Sequence, residues 1–373
     1  MSTAPGAPPR LLHVFPSFAV GGAQVRAAAL MNRFGPAFRH VIVSLDGRFD
    51  CAERLGPAVP VETMAFPASA GESLPARLLR IRRRLAATAP DALVTSNWGS
   101  IEWAMANLLP PRLPHLHMED GFGPDEAAGQ KPRRVWTRRL VLRRSRVLLP
   151  SLTLLSLARE VWRLPEGVLH HVPNGIDLAR FSPAGPRADL ALPGEGPVIG
   201  TVAALRAEKA IARLLHAVAR LRAEGAALRL AVIGEGPERP ALEALAGTLG
   251  IADITRFTGH VPDPAAAYRA LDVFALSSET EQMPFSILEA MASALPVAAT
   301  DVGDVRAMLA EANAPLVVPR EAAALARAIG ALLADPARRA ALGAANRARA
   351  ERDFDQELMF ARHAALWRGA APP

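Results

Sequence analysis

The stretch LLHVFPSFAVGGAQVRAAALMNRF, residues 11–34, sets the fold class of this chain. Its apolar run at 11–15 ends at a proline, a loop containing Gly21 and Gly22 follows, and residues 24–34 have the apolar spacing of a helix. We therefore predict a strand, a glycine turn and a helix in succession, which is the repeating unit of a parallel sheet.

The same alternation continues along the rest of the chain. In the first half, further strands are predicted at 40–45, 92–95, 113–117 and 147–149, with helices at 75–88, 101–108 and 152–164. A Pro- and Gly-rich junction at 165–197 precedes six more predicted strands, at 198–202, 228–233, 254–257, 273–276, 297–300 and 316–318. Helices are predicted between them at 210–223, 239–249, 264–271 and 284–294 and near Asp304, and three more end the chain at 321–334, 337–352 and 354–367. The predicted fold class is α/β, with two doubly wound parallel sheets and a ligand cleft at the carboxyl ends of their strands.

Composition excludes several classes of protein. Half of the 373 residues are hydrophobic and 21% are charged, which predicts a soluble globular protein. No apolar run reaches the length of about 18 residues that a spanning helix needs, and no export signal is recognisable, so a cytoplasmic location is expected. The single cysteine, Cys51, excludes an internal disulfide and any site built from several thiolates. A net charge of +7 favours acidic partners such as phosphorylated small molecules or anionic lipid.

Two glutamates in residues 281–289, EQMPFSILE, form the most informative motif. Pro284 suits the first turn of a helix, so Glu281 is expected in the loop at the positive end of that helix. Glu289 then lies inside the helix, and the two carboxylates face one pocket at different depths. The plainer alternative is one glutamate that stabilises the helix dipole and another that is solvated.

This motif resembles the Glu-x7-Glu motif of the family 4 retaining glycosyltransferases of the GT-B fold, which move a sugar from a nucleotide diphosphate to an acceptor. Four other segments are similar to that family and stand in the same order: the Gly21-Gly22 loop, HMEDG at 117–121, VPNGID at 172–177 with Phe181 after it, and IGEGP at 233–237. The resemblance extends from about residue 11 to residue 368.

The resemblance implies a domain organisation. Two Rossmann-like domains would face a cleft, with an acceptor-side domain at 1–180 that is completed by 354–373, and a donor domain at 181–353. The last predicted helix would cross back to the first domain, and its helical spacing predicts a buried face made of Phe354, Leu358, Ala361 and Ala365.

The resemblance also implies roles for donor-site residues. Glu289 would bind the ribose hydroxyls, Glu281 the transferred sugar near its reacting end, and Lys209 the pyrophosphate. The family usually has an arginine where this chain has Ala204, and Arg206 is expected to replace it. Backbone N–H groups at the start of the glutamate helix would suit sugar and phosphate oxygens. The complete predicted donor-binding set is Gly21, Gly22, Arg206, Lys209, Glu281, Met283, Pro284, Phe285, Ser286 and Glu289.

On the acceptor side, the resemblance implies that His117, at the end of a strand, faces the sugar across the cleft. Glu119 and Asp120 follow it, and the family often has a second histidine at the position of Asp120. The predicted catalytic residues are His117, Glu281 and Lys209. A packed or surface histidine is the alternative for His117.

Residues 131–146 contain eight basic side chains and no acidic one, interleaved with apolar residues such as Val135 and Trp136. Such a segment could hold the protein against an anionic membrane that carries a lipid-linked acceptor. A plain solvated helix is the alternative, because the basic residues spread around the helix axis. Nucleic acid is not expected as a partner, because no aromatic stacking platform accompanies the arginines.

Taken together, the motifs predict a retaining glycosyltransferase of the hexosyltransferase type (EC 2.4). It would use a UDP- or GDP-linked sugar and a glycan or lipid-linked acceptor in bacterial polysaccharide or glycolipid biosynthesis. No metal cofactor is expected, because no acidic pair follows a strand and cationic side chains can take the metal's place. Two alternatives stay open: a nucleotide-sugar epimerase on the same fold, and a non-catalytic GT-B-like protein on a membrane surface. The sequence leaves the sugar, the nucleotide, the acceptor, the linkage and the oligomeric state undetermined.

Overall fold

The computed structural model describes residues 7–122, 126, 129–261 and 263–370. Its contacts divide the chain into two units. Unit 1 comprises Met1–Pro173 together with Met359–Pro373, and unit 2 comprises Asn174–Leu358. The domain boundaries expected from the sequence, after residues 180 and 353, differ from these by a few residues.

Unit 1 is built on a seven-stranded parallel sheet in the order β3-β2-β1-β4-β5-β6-β7. The strands are β1 (Arg10–Phe15), β2 (Arg39–Ser44), β3 (Val61–Ala65), β4 (Ala92–Ser96), β5 (His115–Met118), β6 (Arg146–Leu149) and β7 (Leu169–His171). The α-helices are α1 (Gly22–Phe34), α2 (Leu74–Thr88), α3 (Ile101–Ala106), α4 (Pro132–Val141) and α5 (Leu152–Glu160). β3 and β7 were not expected from the sequence, because edge strands of a sheet lack the buried apolar run that marks a central parallel strand.

Unit 2 has a six-stranded parallel sheet in the order β10-β9-β8-β11-β12-β13. The strands are β8 (Val198–Val202), β9 (Arg229–Ile233), β10 (Thr255–Gly259), β11 (Val273–Leu276), β12 (Val297–Thr300) and β13 (Val317–Val318). The α-helices are α6 (Ile211–Ala223), α7 (Arg239–Thr248), α8 (Pro264–Arg269), α9 (Phe285–Ala292), α10 (Val305–Met308), α11 (Ala322–Leu333) and α12 (Pro336–Asp353). The predicted fold class, two Rossmann-like parallel-sheet domains, is confirmed.

Each sheet buries both of its faces, which explains why its central strands are apolar almost throughout. In β11, Phe274 and Leu276 belong to one apolar cluster, whereas Val273 and Ala275 belong to the cluster on the opposite face. Successive side chains of a strand point to opposite faces, so the strand anchors two helical layers at once.

The final helix, α13 (Gln356–Trp367), carries the chain back to unit 1 from Met359 onwards, as expected from the sequence. Its predicted buried face is wrong: Ala361 is exposed and Leu358 is 46% exposed. The residues that are buried are Met359, Phe360, His363, Ala364, Leu366 and Trp367. The predicted face was counted from Phe354 as a helical residue. In the structure, Phe354 precedes α13 and packs within unit 2, so the predicted spacing begins at the wrong residue.

No helix among the described residues is both long and apolar enough to cross a membrane.

Candidate functional site

In unit 2, the loops after β8 and β11 bring Lys209 and Glu281 together. These strands are neighbours in a parallel sheet, so their carboxyl ends lie at the same edge. Lys209 Nζ donates a hydrogen bond to Glu281 Oε1 at 2.6 Å, and Ser278 Oγ donates to the same oxygen at 2.7 Å. The Lys209 side chain is 25% exposed and that of Glu281 is 11% exposed, so this ion pair can be reached by a ligand.

The loop after β12 fixes the position of Glu281. Gly303 has a φ of 51°, and a Cβ atom there would lie 2.3 Å from the Glu281 carbonyl oxygen. The Asp304 N–H donates to the Gln282 carbonyl at 2.9 Å, and Thr300 Oγ1 donates to the Ser278 carbonyl at 2.8 Å. A glycine is therefore needed at 303 both for its backbone conformation and for the close approach of the two loops.

Glu289 lies in α9, where its partner is Tyr268. The Tyr268 hydroxyl donates to Glu289 Oε2 at 2.7 Å, and no described residue donates to the second carboxylate oxygen. Burial raises the pKa of Glu289, although the Tyr268 hydrogen bond and the nearby charge of Arg180 oppose that rise. Burial and the charge of Glu289 hold the pKa of Tyr268 well above its ordinary value. Tyr268 therefore stays protonated and orients the carboxylate, which leaves the second oxygen available to a ligand hydroxyl.

The start of α9 is held by Asn174, from the VPNGID segment. Asn174 Nδ2 donates to the Met283 carbonyl at 3.0 Å, just before Pro284 caps the helix. Phe285 and Ser286 form the half-buried first turn. From the sequence, VPNGID was notable only for its family resemblance, and Asn174, Tyr268 and Ser278 were not predicted to belong to the site. For Tyr268 there was a signal, since it is the only tyrosine in the chain.

The backbone that leads to Lys209 passes so close to residues 234 and 236 that both must be glycine. A Cβ atom at Gly234 would lie 2.0 Å from the Ala203 carbonyl oxygen, and one at Gly236 would lie 2.3 Å from that of Leu205. These glycines let the loop after β9 pack on the loop that carries Arg206 and Lys209. Arg206 is exposed and forms no ion pair with any described residue, and its substitution for the missing arginine at 204 stays a prediction.

In unit 1, the glycine pair lies at the start of α1. Gly21 is the N-cap residue in an extended conformation, and Gly22 is the first helical residue. A Cβ atom at Gly21 would meet only the Gln24 side chain, whose Nε2 atom donates to the Ser17 carbonyl at 2.9 Å. The expected contact of these glycines with a donor phosphate stays a prediction.

His117 is fully buried, contrary to the expectation that its ring faces a ligand. Its Nδ1 atom lies 2.8 Å from Thr95 Oγ1, and its Nε2 atom lies 3.4 Å from Glu119 Oε2. The reason is strand alternation: His115, His117 and Glu119 share one face of β5 and its extension, under the helices of unit 1. The spacing H-x-H-x-E indicates that the three side chains share a face of the strand, but not that this face is buried.

Glu119 belongs to a buried ionic cluster with Arg138, which is also fully buried. Arg138 Nε donates to Glu119 Oε2 at 2.9 Å, and Arg138 Nη2 lies 3.6 Å from Glu126 Oε2. Burial alone would raise the pKa of Glu119, but the His117 hydrogen bond and the Arg138 charge bring it below its ordinary value. The guanidinium is surrounded by rings at 5.0 to 5.3 Å, those of Trp98, Phe122 and Trp162.

Asp120 is the acceptor-side residue that reaches a pocket. It pairs with the buried Arg26 at 2.7 Å, and its N–H donates to Asn97 Oδ1 at 2.7 Å. Its Oδ2 atom is buried and has no hydrogen-bond partner among the described residues. The pocket has a volume of about 450 Å³, and its lining residues are Pro16, Asn97, Trp98, Gly99, Asp120, Gly121, Phe122 and Arg134. The Asp120 side chain is 17% exposed and lines this pocket next to aromatic surface, while its Oδ2 atom lies buried behind it.

Comparisons with known proteins identify the family of this chain. Residues 20–180 match the family described as Glycosyltransferase Family 4, and residues 186–349 match the family described as Glycosyl transferases group 1. The chain belongs to this family of glycosyltransferases. The family assignment made from the sequence motifs is thereby confirmed.

Individual relatives of this chain match over part of their length. The 2-deoxystreptamine glucosyltransferase of Streptomyces kanamyceticus is 35% identical over 179 residues, which are 46% of this chain and 46% of that protein. The GDP-mannose-dependent alpha-(1-6)-phosphatidylinositol monomannoside mannosyltransferase of Mycolicibacterium smegmatis is 33% identical over 220 residues, 55% of this chain and 57% of that protein. The chain thus spans about half the length of the curated relatives it matches.

Solved structures share the fold over nearly the whole of this chain. Sucrose-phosphate synthase from Thermosynechococcus elongatus has a TM-score of 0.78 at 22% identity, with 97% of this chain and 98% of that chain covered. HepE of Anabaena, in complex with UDP and glucose, has a TM-score of 0.78 at 17% identity, with coverages of 97% and 100%. At these identities the likeness establishes the fold alone.

Proposed function

We propose that this chain is a retaining hexosyltransferase that moves a sugar from a UDP- or GDP-linked donor to a hydroxyl group of a glycan or lipid-linked acceptor. The observation that carries the proposal is the partly exposed cluster of Lys209, Glu281 and Ser278 at the carboxyl edge of the unit 2 sheet. The names of two relatives, a glucosyltransferase and a GDP-mannose-dependent mannosyltransferase, support the same class of reaction. We place the reaction in the cytoplasm, in polysaccharide or glycolipid assembly.

In the proposed reaction, the bond between the sugar's anomeric carbon and the diphosphate oxygen breaks, and negative charge grows on that oxygen. The ammonium of Lys209 and the guanidinium of Arg206 stabilise this charge, which is the task that a divalent metal performs in other enzymes. The acceptor oxygen attacks from the face that the phosphate leaves, and the departing phosphate takes the acceptor's proton. Glu281 orients Lys209 and binds the sugar near its reacting carbon.

Glu289 is assigned to the ribose of the donor. Its carboxylate is oriented through one oxygen by Tyr268, and the other oxygen has no described donor. Two neighbouring ribose hydroxyls can supply such a donor. Backbone N–H groups at the start of α9, around Met283 to Ser286, suit phosphate or sugar oxygens. Gly21 and Gly22 are assigned to the donor phosphate, because glycine has no side chain and lets the backbone lie close to a phosphate group.

On the acceptor side, Asp120 is assigned to the incoming hydroxyl group, because its partly exposed carboxylate lines a pocket. His117 and Glu119 stand behind it as positioning residues, since both are fully buried. In this assignment His117 acts on the reaction through the shape and charge of the loop that follows β5, and not by touching the sugar.

Contact with an anionic membrane is proposed for the outer face of α4. Arg134 and Arg138 turn inwards, and the exposed residues that remain include Trp136 and Leu140. The basic residues beside them are Arg133, Arg139, Arg143 and Arg144. A tryptophan and a leucine framed by arginines suit the interface of an anionic bilayer. Binding of the protein to anionic liposomes at low salt, lost at high salt, is the expected result.

The proposed reaction is tested by incubating the full chain with UDP-glucose, GDP-mannose and ADP-glucose, with and without hydroxyl acceptors. Release of nucleotide and formation of a glycosylated product only when an acceptor is present is the expected outcome. Nucleotide release without an acceptor would favour an epimerase. The donor is identified beforehand from the increase in melting temperature that each nucleotide sugar causes. A ligand at a hundredfold excess over its Kd stabilises the folded state by about 2.7 kcal/mol. A protein that binds a donor and never turns it over would be a non-catalytic member of the family.

A further inference from the structure

A second pocket of about 420 Å³ lies in unit 1, and no role has been assigned to it. It is bounded by the residues that follow β2, β3 and β4 and by helices α2, α3 and α4. Most of its lining is apolar: Leu45, Phe66, Ala68, Leu74, Ile81, Trp98, Ile101, Trp103 and Met105. The carboxyl ends of parallel strands are where α/β sheets place their ligands.

The rim of this pocket carries a net positive charge. Arg77 donates to both carboxylate oxygens of Glu102 at 3.1 Å, and Arg80 pairs with Glu72 at 2.8 Å. Arg133 also lines the pocket, and its guanidinium forms no ion pair or hydrogen bond with any residue that the structure describes. One arginine at the rim is therefore left to pair with an external anion.

Trp98 forms a wall common to this pocket and to the one beside Asp120. The guanidinium groups of Arg134 and Arg138 both lie 5.0 Å from the centre of the Trp98 ring, so the wall is held by cation–π contacts from α4. A molecule lying across Trp98 would present one end to a carboxylate oxygen and the other end to apolar surface with a free arginine.

We propose that the pocket between Trp98 and Arg133 binds the apolar part of an amphiphilic acceptor that also carries an acidic group. The acidic group pairs with Arg133, the apolar part lies against Leu74, Trp98 and Trp103, and the hydroxyl-bearing part extends past Trp98 to Asp120. The inference rests on the proposed function, because it specifies the class of acceptor. A purely hydrophilic glycan would leave this apolar surface unused.

The test uses the position of the tryptophans. All five lie in unit 1, and only Trp98 and Trp103 line this pocket. The full chain, without donor, is titrated with hexyl, octyl and decyl phosphate that carry a bromine at the end of the alkyl chain, and quenching of tryptophan fluorescence is measured. Saturable quenching is expected, with an affinity that rises about fourfold for each methylene group that is buried.

Matched variants separate specific from general binding. Leu74→Asp should weaken octyl phosphate binding at least tenfold. The control is Leu79→Asp, which should leave binding unchanged, because Leu79 also lies on α2 but outside the pocket. The two side chains are similarly exposed, Leu74 at 46% and Leu79 at 52%. Arg133→Gln should weaken octyl phosphate about tenfold and leave brominated octanol unaffected, since a hydrogen bond to a charged group is lost only with the phosphate. Arg83→Gln, on the exposed surface of α2, is the control for charge alone.

Equal quenching in wild type and Leu74→Asp, or no quenching by any alkyl phosphate, would overturn the inference. The KM for transfer is an independent check, measured with acceptors that carry a phosphate and either an octyl or a hexyl chain. If transfer occurs and its KM is independent of chain length, the pocket assignment fails while the glycosyltransferase proposal stands. If octyl phosphate binds as expected and no donor is ever turned over, the pocket stands and the proposed function fails.

Discussion

The two units place their charged residues in opposite environments. In unit 1, Glu119 and Arg138 are fully buried and form an ion pair beneath the surface. In unit 2, the Lys209–Glu281 pair remains partly exposed at the edge of the sheet. The comparison shows that the charged motif of unit 1 stabilises the shape of its loops, whereas that of unit 2 is free to meet a ligand.

The largest expected effect comes from breaking the buried pair of unit 1. Arg138→Met should lower the free energy of unfolding by about 3 to 5 kcal/mol, because it leaves Glu119 buried without its partner. The measurement is chemical unfolding followed by tryptophan fluorescence, which reports on unit 1 alone, and by circular dichroism, which reports on the helices of both units. In unit 2, Lys209→Met should change stability by no more than about 1 kcal/mol, since that pair is solvent-accessible.

A double variant distinguishes charge burial from loss of packing. Arg138→Met combined with Glu119→Leu should recover much of the stability, because replacing both members of a buried pair leaves no orphaned charge. If the double variant is as unstable as the sum of its single variants, burial of an unpaired charge is not the cause.

A similar stability effect in unit 1 is expected from the returning helix. Trp367 packs edge-on against Phe38, with ring centres 5.3 Å apart. Trp367→Ala should destabilise unit 1 by about 3 to 5 kcal/mol, as for other buried aromatic residues. Leu358→Ala is the matched control: that side chain is on the face first predicted to be buried and is in fact 46% exposed, so a change within about 0.5 kcal/mol is expected. A larger loss of stability in Leu358→Ala than in Trp367→Ala would support the buried face predicted from the sequence.

The sequence was sufficient for the architecture, because most central strands are predominantly apolar and alternate with helical patterns. The sequence motifs also assigned both Lys209 and Glu281 to the donor site, but the direct hydrogen bond between them was not predicted. The phase of α13 was mistaken because its apolar residues occur on more than one side, and the larger Trp367 and Phe360 decide which side packs.

The site of unit 1 was harder to predict than that of unit 2. A motif resemblance places His117 near a ligand, but burial depends on which face of β5 the helices cover, and that is a tertiary property. Asn174 and Tyr268 were missed for a related reason: each acts on a residue about 20 or more positions away, through one hydrogen bond. Local spacing cannot reveal such partners.

Acid should destabilise unit 1, because four of its histidines are buried. Burial lowers the pKa of His40 to about 4, that of His363 to about 3 and that of His115 to about 3, and the pKa of His13 falls well below its ordinary value. All four residues belong to unit 1. Because the unfolded chain binds these protons near pH 6.5, stability should fall as the pH drops from 6.5 towards 4, by about 1.4 kcal/mol per pH unit for each histidine.

Hydrogen exchange measured at pH 7, 6 and 5 compares the two units in the intact chain. Protection should be lost first in peptides from unit 1. If peptides from unit 2 lose protection first, the buried histidines do not control the acid response.

The smallest expected effect is that of metal removal. Among the described residues, no group of three or more His, Cys, Asp or Glu side chains could hold a metal ion. Because Lys209 and Arg206 are proposed to balance the diphosphate charge, transfer should continue at an unchanged rate in EDTA. An activity that EDTA abolishes and Mg²⁺ or Mn²⁺ restores would contradict that assignment.

The central claim is that Lys209 and Glu281 act on the charge that develops as the sugar leaves its phosphate. Steady-state kinetics of Lys209→Ala, Glu281→Gln and Glu289→Gln test it most directly, with folding checked by circular dichroism. The first two should lower kcat about a hundredfold, since each removes a group that interacts more strongly in the transition state. Glu289→Gln should chiefly raise the donor KM, because a ribose contact is the same in ground and transition states. Wild-type kcat in both Lys209→Ala and Glu281→Gln would contradict the account.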